Sequence, residues 1–449
     1  MNAAHKMWEL STEEGRLIYG DKFTSIHTFT KEHALASGDI MCDQFHEGSG
    51  FLTHHLAISN SFEASLRAID PSVSLHYWDF TKEGEEITRL GKDAAYLGKV
   101  TPFLSEAWFG AVDEYNHIAN SRWAHSKMPK LDASDMNTEV ANSHNSYGYM
   151  RSYWNNNPDP EVVRHLFDVC GVTVDKTIPN CADHYELINT ATLDDFMTYA
   201  PSDGHGPMHV QLGGVFGGCT DAYAAFESKW GDYLDRKMSD ADIEAAGYDP
   251  TDFNADYGMT GQRRTIFNRS VMGEYFHIYR TLWRSHMCAT DGTANLLECP
   301  TSCSSTTEYE DCTCNVNKLT SGQTTWKNIL PCFVENDSMQ KLFNGVFNSV
   351  FLEDMVTMVA TSTTLEGEML HAGSPADILF WVIHPTIERV MTAKRMDAVT
   401  AFGGAPFAKW ADGVATDKSS WTEYSHYTLE AGENVAYPEG YHCYVSFCL

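Results

Sequence analysis

The sequence predicts a mainly α-helical fold that carries one long cysteine-rich loop. Apolar side chains recur at steps of three and four over residues 51–69, as on one face of an amphipathic helix. Residues 202–214 place His205 and His209 four apart, the spacing of neighbours on one helical face. Six of the twelve cysteines fall within residues 288–332, a stretch rich in Thr, Ser, Asn and Asp without a periodic apolar face.

The first helix is predicted to end at Asp70, because the residue before a proline is disfavoured in the helical conformation. His55 falls on its apolar face and is expected to point inward, whereas His54 is expected to point elsewhere. A buried imidazole needs a partner for each nitrogen, and either a hydrogen-bonded core residue or a metal ligand satisfies this. The apolar face is formed by Phe51, Leu52, His55, Ile58, Phe62, Leu66 and Ile69.

Two later segments add histidines of the same kind. Two neutral imidazoles at the spacing of His205 and His209 would form a preformed bidentate metal site, although HxxxH alone is a weak signal. His384 follows an almost unbroken apolar run, and Pro385 after it is tolerated if it opens a helix. A histidine shielded in this way again needs a polar partner.

The cysteine-rich stretch favours disulfides over zinc. Its spacings, Cys-x3-Cys and then Cys-x-Cys, lack a pair of CxxC knuckles, and dense cysteines in a loop without a core are typical of disulfide-stapled exported proteins. Sequons at Asn268 and Asn336 agree with export. From the cysteines and sequons we expect a secreted or lumenal, glycosylated protein. The N-terminus as given lacks an apolar signal core, so we expect the signal to lie outside this chain.

The net charge of the chain limits the classes of partner that it is expected to bind. The chain has 31 basic and 61 acidic residues, a net charge of −30. This charge argues against nucleic acid and anionic membranes as partners, and a solvated acidic surface is the simplest interpretation. The sequence contains no run of 18 apolar residues, so no membrane span is expected.

Several motifs together resemble those of the type 3 copper proteins, the family of tyrosinases, catechol oxidases and molluscan-type hemocyanins. The first motif is a histidine, eight residues and a second histidine, followed by Phe-Glu and an aromatic-Trp-Asp element. The second is His-x3-His before Gly-Gly, and its distal part is Ser-Pro-x-Asp, Phe-Trp and a histidine near an acidic-Arg pair. The matching residues are His46, Phe51, Leu52, His55, Phe62, Glu63, Tyr77, Trp78, Asp79, His205, His209, Gly213, Gly214, Ser374, Pro375, Asp377, Phe380, Trp381, His384, Glu388 and Arg389.

The resemblance implies a tyrosinase-like core of four helices around two copper ions. It implies a third ligand upstream of the first motif, for which His27 is the first choice and His33 the alternative. Six imidazoles suit copper, whereas a structural zinc would not need so many and no HExxH motif of a zinc hydrolase is present. The implied ligands are His27, His46, His55, His205, His209 and His384.

The resemblance also implies a domain arrangement. Residues 1–218 and 367–400 would form the core, residues 219–366 an insertion between the second and third ligands of the second copper, and residues 401–449 a C-terminal extension. A lid over the copper pocket, an oligomer contact and simple decoration all remain open for the insertion. Cys42 lies four residues before His46, a spacing that favours a disulfide or a buried thiol over a thioether to a ligand.

The implied function is oxidation of o-diphenols to o-quinones by O₂. Gly206 stands where many phenol-hydroxylating members carry Asn, and the segment before His205 has no Glu, so we expect weak monophenol hydroxylation. Ile383 stands where many members carry a further histidine, and Gly206, Val210 and Ile383 are the expected pocket residues. The alternative is a hemocyanin-like reversible oxygen carrier, and a decayed copper site is disfavoured because all six ligand positions are histidine.

Overall fold

The structure is a computed structural model, and it confirms a mainly helical protein. It describes residues 1–38, 43, 45–46, 50–131, 143–174, 177–190, 193–245, 247, 249–251, 271–273, 275–284, 296–333, 337–401, 434–436 and 442–444. Within these ranges no helix is both long enough and apolar enough to cross a membrane. The predicted sequons at Asn268 and Asn336, and the cysteines Cys42, Cys288 and Cys448, lie outside the described residues.

Helices precede and follow a long irregular stretch in the first half of the chain. Their bounds are α1 Asn2–Glu9, α2 Thr12–Tyr19, α3 Ile26–Ser37, α4 Gly50–Ile69, α5 Thr81–Arg89, α6 Leu97–Val100, α7 Cys181–Asn189, α8 Leu193–Ser202 and α9 Gly206–Gly213. Residues 101–131 and 143–174 between α6 and α7 run mainly as turns with isolated β-bridges.

The second half continues in the same way. The helices are α10 Gly218–Lys237, α11 Asp240–Ala245, α12 Tyr275–Arg284, α13 Asn317–Thr320, α14 Trp326–Phe333, α15 Asp337–Val346, α16 Ser349–Thr361 and α17 Phe380–Ala401. The strands form two antiparallel pairs, β1 Val215–Phe216 with β2 Leu365–Glu366, and β3 Asn434–Ala436 with β4 His442–Tyr444.

Helix α4 follows the predicted periodicity. Phe51, His55 and Phe62 are buried, and the helix ends at Ile69 before Asp70. His54 differs from the prediction because it too is buried, with its Nδ1 3.0 Å from the carbonyl oxygen of Gly50. The helix therefore buries a face broad enough to take both adjacent histidines.

Helix α17 packs against α4 through stacked aromatic rings. The rings of Phe62 and Trp381 stack with centroids 3.8 Å apart, and such pairs add about 0.5–1.5 kcal/mol beyond the apolar area that they bury. Trp78 fixes α17 from another side, since its backbone N–H donates to the Val382 carbonyl at 2.8 Å. Pro385 lies inside α17 and not at its start, contrary to the prediction, because the helix already begins at Phe380.

Residues 217–364 leave the core and return to it across the β1–β2 pair. Val215 pairs with Glu366 and Phe216 with Leu365, so the two ends of this segment lie side by side. Its helices share a hydrophobic cluster of their own, to which the core contributes residues such as Val169 and Val210. This arrangement is compatible with the predicted insertion at 219–366, whose exact limits stay a prediction.

Disulfides staple the cysteine-rich loop, as predicted. Cys299 pairs with Cys314, and Cys303 with Cys312, so one bridge lies inside the other. Cys332 is also disulfide-bonded. A further bridge joins Cys170 to Cys219 at the start of α10, whereas Cys181 is an exposed free thiol.

We expect the outer bridge of this loop to contribute measurably to stability. Replacing Cys299 and Cys314, 15 residues apart, with serine should lower the free energy of unfolding by about 3 kcal/mol, because the unfolded chain regains the entropy of an open loop. Urea unfolding measures this, with Cys181→Ser as the matched control that should leave the midpoint unchanged. Identical midpoints for all three proteins would show that the bridge contributes nothing.

Candidate metal centre

Three histidines from the N-terminal part of the chain converge on one point. His33 lies on α3, His46 precedes α4 and His55 lies on α4, and one ring nitrogen from each lies within 4.8 Å of the other two. His33 and His55 are buried, whereas the side chain of His46 is 28% exposed. The spacing allows the three nitrogens to hold one metal ion.

His27, the first choice of ligand, is outside this group, whereas His33, the alternative, is part of it. His27 lies on the exposed side of α3, while His33 is fully buried. The helix itself explains this: Ile26, Phe29 and Thr30 form its buried face, and His33 continues that face at the next turn. The buried face of α3 therefore favours His33 over His27 as the histidine that faces the other two.

A second group combines His205, His209 and His384, again with ring nitrogens within 4.8 Å of one another. His205 is the N-cap residue of α9 and His209 lies one turn later, so the predicted spacing of four brackets the first turn of the helix. His384 is brought from α17. Helices α3, α4, α9 and α17 thus carry four of the six histidines, while His205 caps α9 and His46 lies in the segment before α4.

Aromatic rings pack against the histidines of both groups. The imidazoles of His55 and His384, one from each group, are stacked with centroids 4.1 Å apart. Phe51 packs against His55 and His205 with centroids 4.9 Å apart in each case. Phe380 is 4.1 Å from His384 by the same measure. Both phenyl rings are buried; they belong to the motifs that match the family, but the sequence did not predict that they would line the centre.

Most of these histidines present Nε2 to the centre because Nδ1 is already engaged. The Nδ1 atoms of His33, His55 and His205 lie 2.7, 2.7 and 3.0 Å from the carbonyl oxygens of Ala372, Phe51 and Ala200. The Nδ1 of His209 contacts the carbonyl of Met369, and that of His46 lies 2.9 Å from the Asp43 carboxylate. A carbonyl can only accept, so Nδ1 carries the proton and Nε2 keeps its lone pair.

These lone pairs fit a metal. The Nε2 atoms of His33 and His55 are buried without a hydrogen-bond partner, which is costly unless a cation binds there. The Nε2 atoms of His209 and His384 lie only 3.1 Å apart.

Burial keeps five of the six imidazoles neutral. It lowers the pKa of His33 to about 3 and that of His209 to about 4. The pKa values of His55, His205 and His384 are also well below the ordinary range, because of burial first and then the neighbouring imidazoles. A neutral imidazole is the form that binds a metal, so these five side chains can bind one at neutral pH without first losing a proton.

The six histidines differ in exposure. His46 and His209, one from each group, are partly exposed, whereas His33, His55, His205 and His384 are buried. A small molecule that approaches from solvent would therefore reach the centre beside these two imidazoles.

The three predicted pocket residues have different surroundings. Val210 and Ile383 are buried in hydrophobic clusters. A Cβ at Gly206 would lie 2.8 Å from the carbonyl oxygen of Pro201, so the close approach of α8 and α9 requires glycine there. A role for these residues in contacting substrate stays a prediction.

Comparison with known proteins gives one match. Residues 19–253, just over half of the chain, match the family model described as the common central domain of tyrosinase. No curated protein matches the chain, and no solved structure does. The matched range contains five of the six clustered histidines and extends past the predicted start of the insertion at residue 219, while His384 lies beyond it.

The two candidate histidines of α3 can be separated by experiment. We expect His33→Ala to bind one metal ion fewer than the unmodified protein, because its Nε2 faces the other two imidazoles of its group. His27→Ala, a substitution on the exposed side of the same helix, should keep the full complement. Metal content after titration with copper and gel filtration measures this, and the reverse pattern would restore His27 as the ligand.

Proposed function

The chain belongs to the tyrosinase family, and from this membership we propose that it is a copper-dependent phenol oxidase that uses O₂ to oxidise o-diphenols to o-quinones. The observation that carries the proposal is the pair of adjacent three-histidine groups in the buried core. The proposed ligands are His33, His46 and His55 for one ion and His205, His209 and His384 for the other.

The donor set favours copper over the other common metals. All six groups are imidazoles, without a thiolate or carboxylate among the clustered atoms, and imidazole suits copper well. When bound, the copper pair supplies the electron transfer from the diphenol to O₂, two catechols giving two quinones for each O₂ reduced to two waters.

The chain's own residues prepare this chemistry. The backbone carbonyls and Asp43 that face Nδ1 hold the imidazole rings in one orientation. Phe51 and Phe380 cover the inner side of the centre and exclude water. The partly exposed edges of His46 and His209 leave an approach for a flat phenolic ring.

The preference for diphenols is proposed from the family pattern. Members that hydroxylate phenols hold a water with an Asn after the first histidine of the second site, and Gly206 has no side chain to do so. The contact with Pro201 gives this glycine a structural reason as well. We therefore propose an enzyme of the catechol oxidase type with weak hydroxylase activity.

We also propose that the protein works outside the reducing cytoplasm. The stapled loop and the bridge from Cys170 to Cys219 belong to a class of crosslink that persists in oxidising compartments. Secretion and glycosylation are further parts of this proposal.

Oxygen uptake tests the proposed activity. Copper-loaded protein given a small catechol should consume O₂, and His209→Ala should reduce the rate by about 100-fold or more, since loss of outer partners alone costs 10- to 100-fold. His27→Ala is the matched control and should keep the rate. A protein that holds two coppers and binds O₂ reversibly, but leaves catechol unchanged, would instead be an oxygen carrier of the hemocyanin kind.

A second measurement tests the substrate preference. We expect the matching monophenol to react about 100-fold more slowly than the catechol, because positioned proton transfer contributes factors of about this size. Initial rates of quinone formation, measured with a trace of catechol present to remove the lag, give the ratio. Equal rates would contradict the argument from Gly206.

A further inference from the structure

One short loop contacts the Nδ1 side of a histidine in each group. We define the carbonyl loop as residues 367–373, which follow β2 and precede the turn before α17. Its Ala372 carbonyl faces the Nδ1 of His33, and its Met369 carbonyl faces the Nδ1 of His209. A displacement of this loop would therefore rotate one imidazole in each group.

A buried ion pair holds the loop in place. The side chains of Arg151 and Glu368 are both 0% exposed, and the Arg151 Nε donates to a Glu368 oxygen at 3.1 Å. The other Glu368 oxygen lies 2.8 Å from the Nε2 of His371, within the loop. Arg151 is fixed in turn by the carbonyls of Asn157, Asp159 and Glu161, to which its remaining N–H groups donate.

Ser152, the residue after Arg151, makes a second attachment to the carbonyl loop. The hydroxyl oxygen of Ser152 accepts a hydrogen bond from the backbone N–H of Ala372 at 3.2 Å. Ala372 is also the residue whose carbonyl faces the Nδ1 of His33. The dipeptide Arg151-Ser152 therefore grips the loop at Glu368 and at Ala372, on either side of Met369.

The loop also lies flush against α9. A Cβ at Gly213 would lie 2.7 Å from the backbone nitrogen of Leu370, and the N–H of Gly367 donates to the carbonyl of Gly214 at 3.2 Å. The loop has no room to move toward the helix that carries His209, so its position is set by the attachments on its other side.

The disulfide-bonded loop of residues 299–314 packs against the segment that contains Arg151 and Ser152. The N–H of Cys303 donates to the Ser146 carbonyl at 2.7 Å, and the Tyr153 hydroxyl donates to the Cys299 carbonyl at 3.1 Å. Residues 146 and 153 flank Arg151-Ser152. The part of the insertion that carries these disulfides thus packs against the segment that holds the carbonyl loop.

We propose that Arg151, Ser152 and Glu368 are positioning residues that set the orientation of one imidazole in each copper site at the same time. They touch neither substrate nor metal and act through the carbonyls of Met369 and Ala372. This proposal rests on the proposed function, because it concerns the same two sites.

Copper retention tests it. Protein loaded with two coppers is dialysed against Cu(I) chelators of graded strength, and the copper left on the protein is counted. Ser152→Ala and Glu368→Gln should each weaken retention about 10- to 100-fold, and both coppers should leave in parallel. Ser152→Ala removes a single acceptor, so it stays informative if Glu368→Gln, which leaves Arg151 without its counter-charge, fails to fold.

Asp43→Asn is the matched control, because Asp43 contacts the Nδ1 of His46 and so serves one site. This variant should release one copper early and keep the other. If Ser152→Ala also releases only one copper, or releases both at the same chelator strength as the unmodified protein, the shared positioning role is wrong. If the unmodified protein binds no copper, the proposed function fails instead.

Discussion

An imidazole presents one ring nitrogen in a fixed direction only when a hydrogen bond holds its other nitrogen. The positions of the helices in this chain depend on that requirement. In His33, His46, His55, His205 and His209 the second nitrogen faces an acceptor that the fold supplies. His55 draws on its own helix, but His33 and His209 depend on residues more than 150 positions away. Segments that are distant in sequence must therefore meet with hydrogen-bond precision.

Two kinds of packing provide that precision. Apolar clusters bring α3, α4 and α17 together, with Phe29, Phe62 and Trp381 at their contact. Apolar contact is non-directional and leaves small shifts unopposed. Buried ion pairs remove this freedom, as where Arg164 binds Asp377 just ahead of α17. Such pairs give little net stability but penalise every arrangement in which either charge is left alone.

The sequence was informative where the pattern was local. The apolar face of α4, the spacing of His205 and His209, and the disulfides of the cysteine-rich loop are all properties of short segments. The periodicity of α3 points to His33, which shares a buried face with Ile26 and Phe29, whereas the resemblance pointed first to His27. What the sequence could not show were contacts made by backbone atoms. The carbonyls of Met369 and Ala372 carry no side-chain signature, and the partnership of Arg151 with Glu368 spans 217 positions.

The position of the stapled loop links the centre to its chemical surroundings. The Cys299–Cys314 and Cys303–Cys312 bridges lie next to Ser146 and Tyr153, in the segment that holds the carbonyl loop. In a compartment that keeps thiols reduced, the chain would fold without these bridges, and the support for the carbonyl loop would be looser although all six histidines remained in place. An environment that supplies molecular oxygen and lacks strong thiol reductants would keep the support closed. The protein would then be at its most rigid where its oxidant is plentiful.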